Sequence, residues 1–222
     1  MSRTLRLDGG NVTGGEPTSS GGVADLARLL PEGTARPPSI PETVFDAALR
    51  RVGDLQRLDM RALAAELGVG RATLYRWVGS RDALLGEVFW WRARRSHARA
   101  ARASVGLAGR ARILTSLQTF LTSAQSDAAL HRFLATEPEV ALRVLTSQAA
   151  RVQAGSIAVI ERLLAEETDA GRLTLVIDRS TLAYVIVRIC ESFLYADVIA
   201  GREGDIDQAI AVIGQLLGPA AG

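Results

Sequence analysis

DMRALAAELGVGRATLYRWVGSRDALL, residues 59–85, reads as two short helices joined by a Gly68-Val69-Gly70 turn, followed by the start of a third helix. Met60, Leu63, Ala64 and Leu67 fall at i, i+3, i+4 and i+7, an apolar stripe of helical period. Asp59 stands ready to cap that stripe, and Gly68 just beyond it accepts the left-handed conformation in which helices often end. The second helix, 71–78, turns Leu74 and Val78 inward. Arg71, Thr73, Tyr75, Arg76 and Trp77 are left for the outer face, more donors and rings than a face meeting only water needs. A helix-turn-helix lays such a face in the major groove of DNA.

The charge distribution agrees with a polyanionic partner. Residues 36–102 hold 13 Arg against seven acids, a net +6, whereas residues 1–35 carry −1 and residues 103–222 carry −3. All 26 basic residues are Arg, which reflects base composition more than mechanism. With 48% apolar residues and a mean hydropathy of +0.14, the chain can bury a substantial core. No stretch reaches the length of uncharged apolar sequence that a membrane span needs, and the N-terminus has no signal-like apolar run. The single cysteine, Cys190, excludes a disulfide framework, fits a cytoplasmic, nucleoid-associated protein, and reads as a small buried residue.

Working outward, the fold class is all-α. Residues 1–36, rich in Gly, Ser, Thr and Pro, read as a disordered N-terminal arm with a fleeting helix at 23–30. Pro41 opens a helix whose inner stripe is Phe45, Ala48, Leu49 and Val52. Residues 37–80 thus form a three-helix DNA-binding head. Residues 81–222 form a helical ligand-binding and dimerisation body, entered by a long connecting helix that Ser80 caps and that runs from Arg81 to about Arg102. Further helices are expected over 110–126, 128–135, 147–167, 179–200 and 205–217, the last two capped by Asp178 and Asp205. A capping box at Thr136–Glu139 starts one through Leu145. LTLVID, 173–178, is the nearest approach to a strand and is short.

An enzyme finds little support. His97 and His131 stand in no ligand or base spacing, and there is no zinc motif, P-loop or nucleophile elbow. No metal or cofactor is expected. Within the apolar segment 179–200, Thr181, Tyr184, Arg188, Glu191, Ser192 and Tyr195 share one face. Two readings stand. They are the polar wall of a ligand cavity, or an Arg188–Glu191 pair that fixes helix register or faces a dimer partner. Phe120, Phe133, Leu117 and Val144 are candidate apolar walls.

LAAELGVGRATLYRWVGSRDALL, 63–85, closely resembles the signature of the TetR family of bacterial repressors. The match runs through Leu63-Ala64, Gly68-Val69-Gly70, Leu74-Tyr75, Trp77-Val78, Ser80-Arg81 and Leu84. LYRWVGSRDALLGEV with VRICESFLYADVIAG is similar to a narrower group, the regulators of quorum-sensing-signal degradation. Three departures stand out: Trp77 where the family usually has a phosphate-contacting His, Val78 for a core Phe, and Arg81 for a phosphate-binding Lys. The resemblance implies a homodimer paired through 179–200 and 205–217, with its heads one DNA turn apart on a palindromic operator. It also implies a small apolar or lactone-like effector that shifts the population off DNA. On this reading Arg71 reads guanine, and Thr73 touches a thymine methyl or a phosphate. Tyr75, Trp77 and Arg81 hold phosphate, Gly70 lets the backbone approach, and Arg76 lies on the same face. Tyr184, Arg188, Glu191, Tyr195, Phe120 and Phe133 would line the effector site. The alternative is a helical interaction module that has lost DNA binding.

Overall fold

A computed structural model describes residues 40–147 and 151–218. The arm at 1–36, with its helix at 23–30, lies outside the described residues. Along the chain run α1 (Glu42–Gly53), α2 (Met60–Glu66), α3 (Arg71–Val78), α4 (Arg81–Ala103), α5 (Gly109–Gln125) and α6 (Ala128–Thr136). They are followed by α7 (Pro138–Thr146), α8 (Arg151–Asp169), α9 (Arg179–Leu194), α10 (Ala196–Ala200) and α11 (Ile206–Leu216). Among the described residues there is no strand, and 172–178 is a connection. The fold is all-helical, as expected.

Side-chain caps start several of these helices as the sequence foretold. Asp59 accepts from the amides of Arg61 and Ala62, Ser80 from Ala83, Asp178 from Thr181, and Asp205 from Gln208. At the end of α2, Gly68 takes φ +65°, its amide bonds Ala65 and the Val69 amide bonds Ala64. This paired arrangement closes the helix and sets the turn before α3. Two expectations are corrected. Thr136 ends α6, its hydroxyl donating to the Arg132 carbonyl, and Glu137 takes the cap position of α7 without a side-chain cap bond. The Glu137 carboxylate is instead drawn to Arg81. The helix expected over 179–200 breaks at Tyr195 (φ −110°, ψ 21°) into α9 and α10.

The core has two parts. One cluster begins with Val44, Phe45, Leu58, Leu63 and Leu74 in the head. It continues through Leu84, Leu85, Val88 and Phe89 of α4 to Leu130, Phe133, Leu134 and Leu145. The first turns of α4 therefore belong to both halves. Val78 is buried, and Trp77 packs partly against the same cluster. The second cluster joins α5, α8, α9 and α11 through Ile113, Leu117, Leu164, Leu182, Ile186 and Ile213. A buried carboxylate, Glu167, ties its far end together. It accepts from the Gly109 amide at 2.6 Å and Arg172 Nε at 2.7 Å, and it pairs with Arg112. Burial would raise its pKa, but these donors more than offset that and hold it at about 2.

Candidate nucleic-acid interface and ligand cavity

The outer face of α3 begins with an open helix end. Gly70 holds the cap position in an extended conformation with no side-chain cap bond, so the first-turn amides of α3 lack a side-chain acceptor. Arg71, Tyr75 and Arg76 are exposed, Thr73 is half-buried, and Trp77 is half-buried against the head core. Arg71 and Tyr75 also line a surface cleft of about 300 Å³ with Arg57, Arg61 and Arg81. The carboxylate in this cleft, Asp59, is engaged by the Ala62 and Arg61 amides, which hold its pKa below the usual range. The cleft is therefore strongly cationic beside an open helix N-terminus. Arg57 and Arg61 were not singled out from the sequence, although both flank the capping Asp59 in QRLDMR.

Arg81 is differently placed from its neighbours. Its Nε donates to the Leu58 carbonyl at 2.7 Å and its Nη2 to Glu137 Oε1 at 2.6 Å. The guanidinium is engaged inside the molecule, at the junction between head and body.

In the body, the polar stripe of α9 divides. Tyr184 is 50% exposed and Arg188 also faces outward, whereas Glu191 and Tyr195 turn inward, Tyr195 to 4% exposure. Arg188 reaches back to Glu191, Nη1 to Oε2 at 2.7 Å. The register-fixing pair and the cavity wall thus coexist, because one face of the helix straddles the boundary between solvent and core. Glu191 also accepts from Gln153 Nε2 at 3.1 Å, and the same amide group donates to the Thr146 carbonyl at 2.9 Å.

Glu191 and Tyr195 line a cavity of about 40 Å³ with His97, Phe120, Gln153 and Ser156. His97 stacks on Phe120 with ring centroids 4.1 Å apart, and its Nε2 lies 3.2 Å from the Ser156 hydroxyl. Burial drives the His97 pKa down to about 3, so the ring is neutral and offers one donor and one acceptor. Burial likewise pushes the Cys190 thiol up to about 12 and raises the Tyr195 phenol, so both keep their protons. A second cavity of about 40 Å³ adjoins the first and shares Phe120, Val152, Leu194 and Tyr195 with it.

Phe120, Glu191 and Tyr195 are therefore brought together. Phe133 is not among them. It stacks on Phe89, centroids 4.9 Å apart, at the head–body junction. His97, Gln153 and Ser156 were missed from the sequence. Gln153 and Ser156 do leave a trace, as polar positions three apart on the inner face of a helix otherwise lined by Val152, Ile160, Leu163 and Leu164. His97 leaves none, because its partner lies 59 positions away.

Among the described residues, no group of three or more His, Cys, Asp or Glu could hold a metal ion, and no helix is long and apolar enough to cross a membrane. Residues 108–218 match the family model of the tetracyclin repressor-like C-terminal domain. No curated protein sequence matches the chain. The structure is similar to that of the R. erythropolis transcriptional repressor QsdR from the TetR family. The identity is 32% and the TM-score 0.71, over 81% of this chain and 94% of that one. It also shares its fold with the fatty acid degradation regulator FadR from Bacillus halodurans, at 15% identity and a TM-score of 0.51, over 83% of this chain and 97% of that one.

Proposed function

This chain belongs to the TetR family of transcriptional regulators, and we propose that it acts as a ligand-responsive repressor binding a palindromic operator as a homodimer. The observation that carries this reading is the open N-terminus of α3 set beside a cleft lined by Arg57, Arg61, Arg71 and Tyr75. Arg71 presents its fork to guanine O6 and N7, while Tyr75 and the first-turn amides of α3 hold phosphate. Thr73, Arg76 and Trp77 sit on or beside the same surface, and Gly70 leaves room for the backbone to approach. The narrower resemblance to regulators of quorum-sensing-signal degradation fits the likeness to QsdR.

The dimer face is assigned to 179–200 and 205–217, where Tyr184 on α9, Ile199 on α10 and Val212 on α11 are large apolar side chains left exposed. The effector is assigned to the paired cavities around Tyr195. Their neutral donors and acceptors (Tyr195, Gln153, Ser156 and His97) suit a small, mostly apolar molecule bearing a carbonyl, such as a lactone. At about 40 Å³ each, the cavities accept only water-sized guests. An effector must therefore widen them, and it gains affinity only from an expanded body. That differential affinity is what shifts the protein off DNA. Such a protein works in the cytoplasm on chromosomal DNA and catalyses no reaction.

Band shifts on an operator selected from random duplexes test the reading. Arg71→Ala is expected to cost about 1–3 kcal/mol and to relax one base position, and Tyr75→Phe to weaken all sequences alike. Binding that does not depend on salt would mean that no phosphate is contacted, and the protein would then be an interaction module. Tyr195→Phe is expected to leave operator affinity unchanged and to blunt release by effector.

A further inference from the structure

Next to the cationic cleft of α3, with which it shares Arg57, Leu58 and Arg81, lies a second opening. A cleft of about 330 Å³ opens where head meets body, within the range that small-molecule sites occupy. Its floor is apolar, formed by Val52, Leu85 and the stacked pair Phe89 and Phe133. Its rim carries Arg57, Arg81 and Arg132 against one carboxylate, Glu137. Glu137 is shared between Arg81 at 2.6 Å and Arg57 at 3.4 Å, and Arg57 remains 76% exposed. Among the described residues Arg132 has no carboxylate partner. The rim is thus left with a net charge of +2, placed over an aromatic floor.

Leu55 supplies an independent observation. It follows α1 with φ +59°, its amide bonding Val52 and the next amide, of Gln56, bonding Arg51. This helix-closing position favours glycine, because a Cβ is crowded there. A leucine held in that conformation keeps an exposed apolar side chain at the cleft. Backbone strain that preserves a side chain at a cavity is a mark of use.

These features together select the ligand class. A neutral apolar molecule would cover the floor and leave the excess cations unmatched. A small hydrated anion would match the rim and leave the phenyl rings wet. We propose that this cleft binds an amphipathic anion, a carboxylate or phosphate monoester on an apolar chain. Its head group lies between Arg57 and Arg132, and its chain lies on Phe89 and Phe133. The site meets the second Tyr195 cavity only at Phe89 and does not depend on what those cavities bind.

Calorimetric titration of the full chain tests this, with sodium octanoate and octyl phosphate as probes and 1-octanol and acetate as controls. At least one of the two amphipathic anions is expected to bind saturably, and the tighter of them identifies the head group. Octanol and acetate should bind at least about tenfold more weakly, and Arg57→Ala/Arg132→Ala should weaken the anion by at least about tenfold. Both arginines extend into solvent, and a thermal melt checks that the variant folds. Leu55→Gly should raise the melting temperature by relieving the backbone, yet weaken the anion by about threefold. Tyr195→Phe should leave binding unchanged. The proposal is overturned if neither anion binds saturably or if octanol matches the better anion. It also falls if the double arginine variant binds like wild type, or if Tyr195→Phe rather than that variant abolishes binding.

Discussion

Arg81 donates from Nη2 to Oε1 of Glu137 at 2.6 Å, joining the first turn of α4 to the residue that caps α7, 56 positions further along the chain. Its Nε also holds the carbonyl of Leu58, just ahead of α2. One guanidinium therefore links the helix-turn-helix, the connecting helix and the body. Arg81 and Glu137 are both largely withdrawn from solvent, at 20% and 11% side-chain exposure, so the pair is stronger than a surface ion pair. Glu137→Gln is expected to cost about 1–2 kcal/mol in denaturant unfolding. A double-mutant cycle with Arg81→Gln should return a coupling energy above about 0.5 kcal/mol. Strictly additive effects would mean that the two residues do not depend on each other.

The same substitution bears on the cationic cleft beside α3. Arg81 also lines the cationic cleft beside Arg71 and Tyr75, where Glu137 and a phosphate would compete for it. Glu137→Gln should then tighten binding to random duplex and steepen the salt dependence by about one phosphate equivalent, despite the lost stability. An unchanged salt slope would assign Arg81 to the junction alone.

Gly155 is where α8 meets the connecting helix. A Cβ there would come within 2.3 Å of the Trp90 ring and within 2.5 Å of two more of its carbons. A six-membered ring anchored on α4 cannot swing aside as the end of a flexible chain would. Gly155→Ala is expected to destabilise by about 1–3 kcal/mol through overpacking. If the melting temperature of this variant equals or exceeds that of wild type, the packing described for Trp90 is wrong.

His97 predicts a pH dependence of stability. Its folded pKa, about 3, lies far below the ordinary 6.5 because the ring is buried. Above pH 6.5 neither state binds the proton and the residue contributes no slope. Between about 6.5 and 3 the unfolded chain takes up a proton that the folded chain refuses, so stability falls as pH falls. The full slope for one proton is about 1.4 kcal/mol per pH unit. His97→Gln can keep a bond to Ser156 and should lack this slope. Its unfolding free energy, subtracted from that of wild type, should change with pH only below about 6.5. A flat difference would mean that the ring takes up its proton in the folded state as readily as in the unfolded chain.

Local sequence signals carried most of the secondary structure. Asp59, Ser80, Asp178 and Asp205 could be recognised as caps because a cap bonds amides two or three residues away, and Gly68 as a helix end because its conformation is a property of one residue. The outer face of α3 was legible for the same reason, since Leu74 and Val78 fix which side of a short amphipathic helix turns inward. Where a side chain had a remote competitor, the local reading failed. The box expected at Thr136 gave way to an ion pair reaching back to Arg81.

The all-helical chain, its helix-turn-helix and the concentration of positive charge around it are legible in the sequence, since periodicity, capping and composition are written in adjacent residues. Which half of the α9 stripe faces inward was settled by packing. The same packing also brought His97 to Phe120 and Ser156, set Phe133 apart from Phe120 against Phe89, and opened a cleft between head and body. Each of these depends on side chains tens of residues apart in the chain, whose meeting is set by how the helices pack rather than by any local preference.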